Sequence, residues 1–184
     1  MKKIRLFVDM DGTLSVFTPV DTLEKLYEPG YFFNQQPQIN VVLAIRELIK
    51  NPAYNSKIEV FILSAVLRDH LTAKDEKNRW LDMFLPDIDY EHRIYTVCGE
   101  NKTNYIENFN QADVLLDDYT TNLVDWDPPG KGIKLLNGIN HTNGTWKGKM
   151  VDLSTEPKAL AKRIYSFAQR NRDNTQKRSS NRTR

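Results

Sequence analysis

Asp9 and Asp11 stand two residues apart directly after the run Ile4-Arg5-Leu6-Phe7-Val8. At a strand terminus that spacing sends both side chains to one side. Two carboxylates held so close are costly to bury unless a cation or a shared proton compensates them. Gly12, the next residue, lets the backbone turn sharply. Asp-Gly is also ordinary turn chemistry, which accounts for Asp11-Gly12 but not for Asp9. A second acidic pair, Asp117-Asp118, ends the apolar run Asp113-Val114-Leu115-Leu116. Two acidic strand ends converging in one sheet make an oxygen-rich site of several negative charges, which suits Mg²⁺. The pair could equally cap a helix starting near Thr120. Ser64, after Phe61-Ile62-Leu63, offers a hydroxyl to a phosphate, and Lys102 a cation to a phosphoryl oxygen. Either residue alone would be an ordinary strand cap or a solvated surface lysine.

These residues need a scaffold, and the hydrophobic pattern supplies one. Short β-branched, apolar runs at 4–8, 58–63, 94–97, 113–116 and 132–136 predict buried strands. Helical spacing (Val42, Ile45, Leu48, Ile49; then Trp80, Leu81, Phe84, Leu85) separates them, a helical stretch follows Lys102, and a last helix spans about 156–169. Alternation of this kind predicts an α/β, Rossmann-like parallel sheet with helices on both faces. Chemistry in such sheets lies beyond the carboxyl ends of the strands, where each cluster above falls. Residues 15–38 break the pattern: they are aromatic and punctuated by Pro19, Pro29 and Pro37. They read as a small cap insertion into a core formed by 1–14 and 39–169.

Hydrophobic residues at 40% and charged ones at 27% describe an ordinary soluble globular protein. No apolar run is long enough to span a membrane. The single cysteine, Cys98, rules out an internal disulfide and reads as a buried strand residue, so a reducing cytoplasm is expected. The net charge of +2 comes from the tail: residues 170–184 hold six basic residues and one acid. Removing these from 26 and 24 leaves 20 basic against 23 acidic residues in the body. Without apolar anchors the tail is expected to be disordered and solvated rather than a nucleic-acid arm.

The order of the clusters carries a resemblance. Asp-Met-Asp-Gly-Thr-Leu at 9–14, a strand ending in Ser64, then Lys102, then a strand ending in Asp117-Asp118 resemble the four motifs of the haloacid dehalogenase (HAD) superfamily. More closely, the chain resembles the 5′(3′)-deoxyribonucleotidase branch, the cytosolic type C 5′-nucleotidases. Phe17, the segment Tyr31-Phe32-Phe33 with Pro37, Glu76-Lys77 with Trp80, and Asn101-Lys102-Thr103 follow that pattern. The insertion after Thr13 is shorter than in the vertebrate enzymes, Tyr119 stands where they often carry a basic residue, and the Asn- and Gly-rich stretch 137–146 is foreign to them.

The resemblance implies a phosphatase in which Asp9 attacks phosphorus, forming an aspartyl-phosphate, and Asp11 acts as acid and then base. It implies Mg²⁺ held by Asp9, the Asp11 backbone carbonyl and Asp118, with Asp117 supporting, and phosphate bound by Ser64 and Lys102. The substrate it implies is a nucleoside monophosphate, with Phe17, Phe32 and Phe33 placed to meet the base, although Phe32 and Phe33 could instead glue the cap to the core. His141 could face the site, or lie on the surface of a turn at Asn143-Gly144. The alternatives are a HAD phosphatase for a sugar phosphate or another small phosphomonoester, and a catalytically silent HAD-like binding module. No membrane or nucleic-acid partner is expected; a homo-oligomer is compatible with the sequence.

Overall fold

The structure, a computed structural model, describes residues 2–140 and 145–180, with side chains described as far as Gln169. Six strands form one parallel sheet: β1 (Ile4–Val8), β2 (Ile58–Val66), β3 (Arg93–Val97), β4 (Val114–Asp117), β5 (Lys131–Leu136) and β6 (Lys149–Asp152). Their order is β3-β2-β1-β4-β5-β6, which places β1 between β2 and β4. The helices are α1 (Ile39–Lys50), the single turn α2 (Pro52–Asn55), α3 (Ala73–Phe84), α4 (Thr120–Trp126) and α5 (Pro157–Ser180).

Strand alternation divides the interior in two. Ile4, Leu6 and Val8 of β1, with Ile58, Val60 and Ile62 of β2, pack beneath α1, α3 and α5, where Ile45, Leu48, Trp80, Leu81 and Ile164 are fully buried. Phe7, Leu63 and Leu115 face the other way, onto Leu123 and Trp126 of α4 and onto Trp146. Each such side chain contributes roughly 1.5–3 kcal/mol through burial. Both faces being covered, the strands read as continuous apolar runs.

All six strands end at one edge of the sheet, and α5 returns from that edge. At its start Asn40 of α1 donates to the Leu153 carbonyl. Farther along, Tyr165 meets Tyr54, which lies just before β2, and Phe167 lies under the Lys149 ammonium at the beginning of β6. The backbone stays helical to Ser180. Extending an existing helix fixes one residue per added hydrogen bond, without a new nucleus, so it can outrun its apolar stripe. The sheet also has a strand more than the five expected, β6. Among the described residues no helix is long and apolar enough to cross a membrane.

Candidate active site

Where β1 ends, the Asp9 amide donates to the Leu116 carbonyl of β4, holding Asp9 against the strand that carries Asp117. The chain then folds into a turn in which the amides of Leu14 and Ser15 both donate to the Met10 carbonyl. Gly12 sits at φ +83°, and a Cβ there would lie 2.5 Å from an oxygen of Asp118. The residue is glycine because the backbone is left-handed and a carboxylate occupies the space a side chain would need.

Asp9, Asp117 and Asp118 are buried, and each can offer a carboxylate oxygen within 4.8 Å of the others. Lys102 stands among them, its ammonium donating to Asp9 Oδ1 at 2.6 Å and to Asp117 Oδ2 at 2.7 Å. Burial disfavours that ammonium, but Asp117 and Asp9 together outweigh the penalty and hold its pKa above the ordinary lysine value. For Asp9 the balance is opposite: desolvation pushes its carboxyl well up, Lys102 resists, and Asp117, Asp118 and Asp11 push further. Asp118 is also raised, by burial first and then by Asp117, against hydrogen bonds from Asn140, Asn137 and Thr13. Lys134, buried with its ammonium donating to the Asp118 carbonyl, is a second cation beside them, and two lysines do not offset three buried carboxylates. The all-oxygen donor set with surplus negative charge suits a hard divalent cation.

Asp11 belongs to a second cation. Lys77 of α3, fully buried, donates to Asp11 Oδ2, to Ser64 Oγ at 2.8 Å and to the Ala65 carbonyl at 2.6 Å. The other Asp11 oxygen is buried with no hydrogen-bond partner among the described residues. Ser64 is fully buried behind Lys77 and does not line the cavity described below. Thus the structure brings Asp9, Asp11, Lys102, Asp117 and Asp118 together and places Ser64 one contact deeper.

Lys77, Asn137 and Asn140 are the residues sequence reasoning did not assign to the site. Glu76-Lys77 was recognised only as pattern, because a lysine in the polar stretch Ala73-Lys74-Asp75-Glu76-Lys77 looks like solvated surface. Its burial depends on partners elsewhere in the chain, 13 and 66 residues away. Asn137 bridges the Gly12 carbonyl and Asp118 Oδ2 at 2.8 and 2.7 Å, and Asn140 reaches the same oxygen at 2.5 Å. The Asn- and Gly-rich composition after β5 was the available signal.

The insertion 15–38 leaves and returns at one neck, where Ser15 pairs with Pro37 and the Val16 amide donates to the Gln36 carbonyl. The Glu76 carboxylate accepts from the amides of Gly30 and Phe32 at 2.8 and 3.1 Å. Phe32 is buried beneath the Lys77 ammonium and Phe33 lies under the Arg79 guanidinium, centroid distances 4.7 and 4.1 Å. Neither ring lines the cavity; of the two roles the sequence leaves open to them, the packing onto α3 matches the anchoring of the insertion to the core. Phe17 does line it.

The cavity has a volume of about 430 Å³, with Asp9, Asp11, Lys102 and Asp118 at one end and Phe17, Tyr119, Thr96 and Cys98 among its walls. Cys98 is exposed rather than buried, because β3 ends at Val97. His141 and the Asn143-Gly144 turn lie outside the described residues.

No family model matches the chain, and no curated protein does. Among solved structures, it is similar to a protein from Mesorhizobium loti assigned as a HAD-like phosphatase, with 14% identity, a TM-score of 0.55, and coverage of 90% of this chain and 87% of that one. At that identity the likeness is one of architecture alone: a six-stranded parallel sheet with helices on both faces, the fold it shares with that structure.

Proposed function

We propose that this protein is a Mg²⁺-dependent phosphomonoester hydrolase that works through an aspartyl-phosphate on Asp9, with nucleoside monophosphates as its substrates, in the manner of a 5′(3′)-deoxyribonucleotidase. The observation that carries it is the convergence of Asp9, Asp11, Lys102 and Asp118 at one end of a cavity walled by an aromatic ring. Asp9 supplies the attacking oxygen, splitting one hard displacement into two. Asp11 gives a proton to the departing alkoxide and then takes one from the hydrolytic water. Lys77 holds one oxygen of Asp11 and leaves the other unpartnered beside the cavity, which suits that role. Lys102 is the cation that a phosphate dianion would meet in the cavity, with Lys77 buried behind Asp11. Asp9 and Asp118, with Asp117 beside them, would hold Mg²⁺, and when bound it supplies charge neutralisation between the carboxylate nucleophile and the dianion.

Phe17 supports the nucleotide assignment, as a ring on the cavity wall on which a base can stack for roughly 1–3 kcal/mol. A sugar phosphate is the second reading, favoured by the polar wall residues Thr96, Thr121 and Asn140. The exposed thiol of Cys98 suits the reducing cytoplasm we assign to the protein. Phosphate release from nucleoside and sugar monophosphates, with Mg²⁺ and with chelator, tests the activity. Phe17→Ala tests the substrate: kcat/KM for a pyrimidine deoxynucleotide should fall by about 1–3 kcal/mol while a sugar phosphate is much less affected. Equal losses would make Phe17 a packing residue and favour the sugar phosphate.

A further inference from the structure

One end of the cavity is taken up by Asp9, Asp11, Lys102 and Asp118, but its walls hold groups that phosphoryl chemistry does not use. Thr96, near the end of β3, is only 1% exposed and lines this space, and its buried Oγ1 has no hydrogen-bond partner among the described residues. A buried hydroxyl left unpaired is costly, and a ligand atom would remove that penalty. The wall is also one-sided in charge. Asp125 of α4 and Glu100 line it, while Lys102, the single lysine or arginine in the lining among the described residues, is already shared between Asp9 and Asp117. Glu100 pairs with Arg68 at 2.6 Å, an exposed pair that solvent screens, and Asp125 is exposed as well.

We infer that this wall is a leaving-group subsite for an uncharged, hydroxyl- or heteroatom-bearing group, with Thr96 as its hydrogen-bond partner and Asp125 and Glu100 excluding a second phosphate or a carboxylate. The inference rests on the phosphomonoesterase assignment and narrows it to esters with one phosphate and no other negative charge. Acidic side chains on the wall of a cleft that already holds Asp9, Asp11 and Asp118 add to a field that repels a second anion. The Thr96 hydroxyl can donate or accept, so it fits a ribose hydroxyl or a ring heteroatom but gains nothing from an apolar surface.

The test uses pairs of esters that differ by one charge: a nucleoside 5′-monophosphate against its 3′,5′-bisphosphate, and glycerol phosphate against phosphoglycerate. With Mg²⁺ present, kcat/KM should favour the less charged member roughly tenfold or more in each pair, and Asp125→Lys should narrow that ratio. Thr96→Val should lower kcat/KM for the nucleoside monophosphate by about three- to tenfold relative to p-nitrophenyl phosphate, mainly through KM. Its melting temperature should not fall, because an unpaired buried hydroxyl is replaced by a methyl group; this separates lost recognition from a damaged fold. Equal rates within both pairs, or equal losses on both esters in Thr96→Val, would overturn the subsite. Calorimetric titration of the same pairs onto Asp9→Asn reads the charge preference without turnover. If p-nitrophenyl phosphate is not hydrolysed by wild type while the binding preference persists, the phosphatase assignment fails and the subsite stands. Binding without preference overturns the subsite alone, and no binding of any ester overturns both.

Discussion

At the scale of single residues, the site is a set of carboxylates rationed to two lysines. Lys102 serves Asp9 and Asp117, and Lys77 serves Asp11. The division separates the two roles that a covalent phosphatase needs. Asp9→Asn keeps the shape of the nucleophile without its reactivity, so turnover should drop by roughly 10⁴-fold or more in a protein that still melts normally. Near-normal rates in a folded Asp9→Asn protein would reject the covalent route. Asp11→Asn should differ, retaining phosphate binding by calorimetry while losing turnover. Asp9, Asp11 and the Asp117-Asp118 pair were legible from sequence because each stands at or just beyond the end of an apolar run, and Lys102 only through its place in the order of those clusters. Lys77 was not, because helix periodicity says which face a residue is on but not whether a carboxylate elsewhere awaits it.

Among the elements, α3 does the most to connect the insertion to the core. Trp80 and Leu81 fill the interior while Glu76 binds the insertion's backbone and Lys77 its Phe32 ring. Phe32→Ala should therefore destabilise the protein by about 3–5 kcal/mol in denaturant unfolding. Glu76→Gln should cost less but raise KM, since it loosens the insertion that carries Phe17. An unchanged unfolding midpoint in Phe32→Ala would mean that the ring is not part of the packed interior. The sheet was readable strand by strand except for β6, where only Val151 is buried. An edge strand with a single buried side chain has no period to detect. The aromatic cluster Tyr31-Phe32-Phe33 was ambiguous for a related reason: a ring over a cation and a ring over a base demand the same residue type.

For the molecule as a whole, the raised carboxyls couple proton, cation and fold. A carboxyl whose folded pKa lies above its unfolded value of 3.8 contributes stability that is fully present below that value. The contribution is lost as pH rises through the folded pKa. In chelator, the Asp9 and Asp118 contributions should thus decline with rising pH, whereas Mg²⁺ must displace any protons they hold. The rise in melting temperature produced by Mg²⁺ should grow as pH rises above the ordinary carboxylate range. A rise that is independent of pH, or absent, would place the cation elsewhere. Ca²⁺, which prefers more oxygens at longer distances, should restore activity less well than Mg²⁺ after chelation.

The return path of α5 has a consequence for how the protein can be handled. Ile4 begins β1 at the edge opposite the cavity, and Tyr165 and Phe167 reach that same edge beside Tyr54 and Lys149. A bead, a fluorophore or a fused partner attached at either end of the described chain would hang from the far pole, and the mouth of the cavity would stay clear. Removal of residues 171–184 should accordingly leave turnover of small esters within about twofold. Protein immobilised through that helix should work as fast as protein in solution, whereas coupling through the exposed thiol of Cys98, on the cavity wall, should block it.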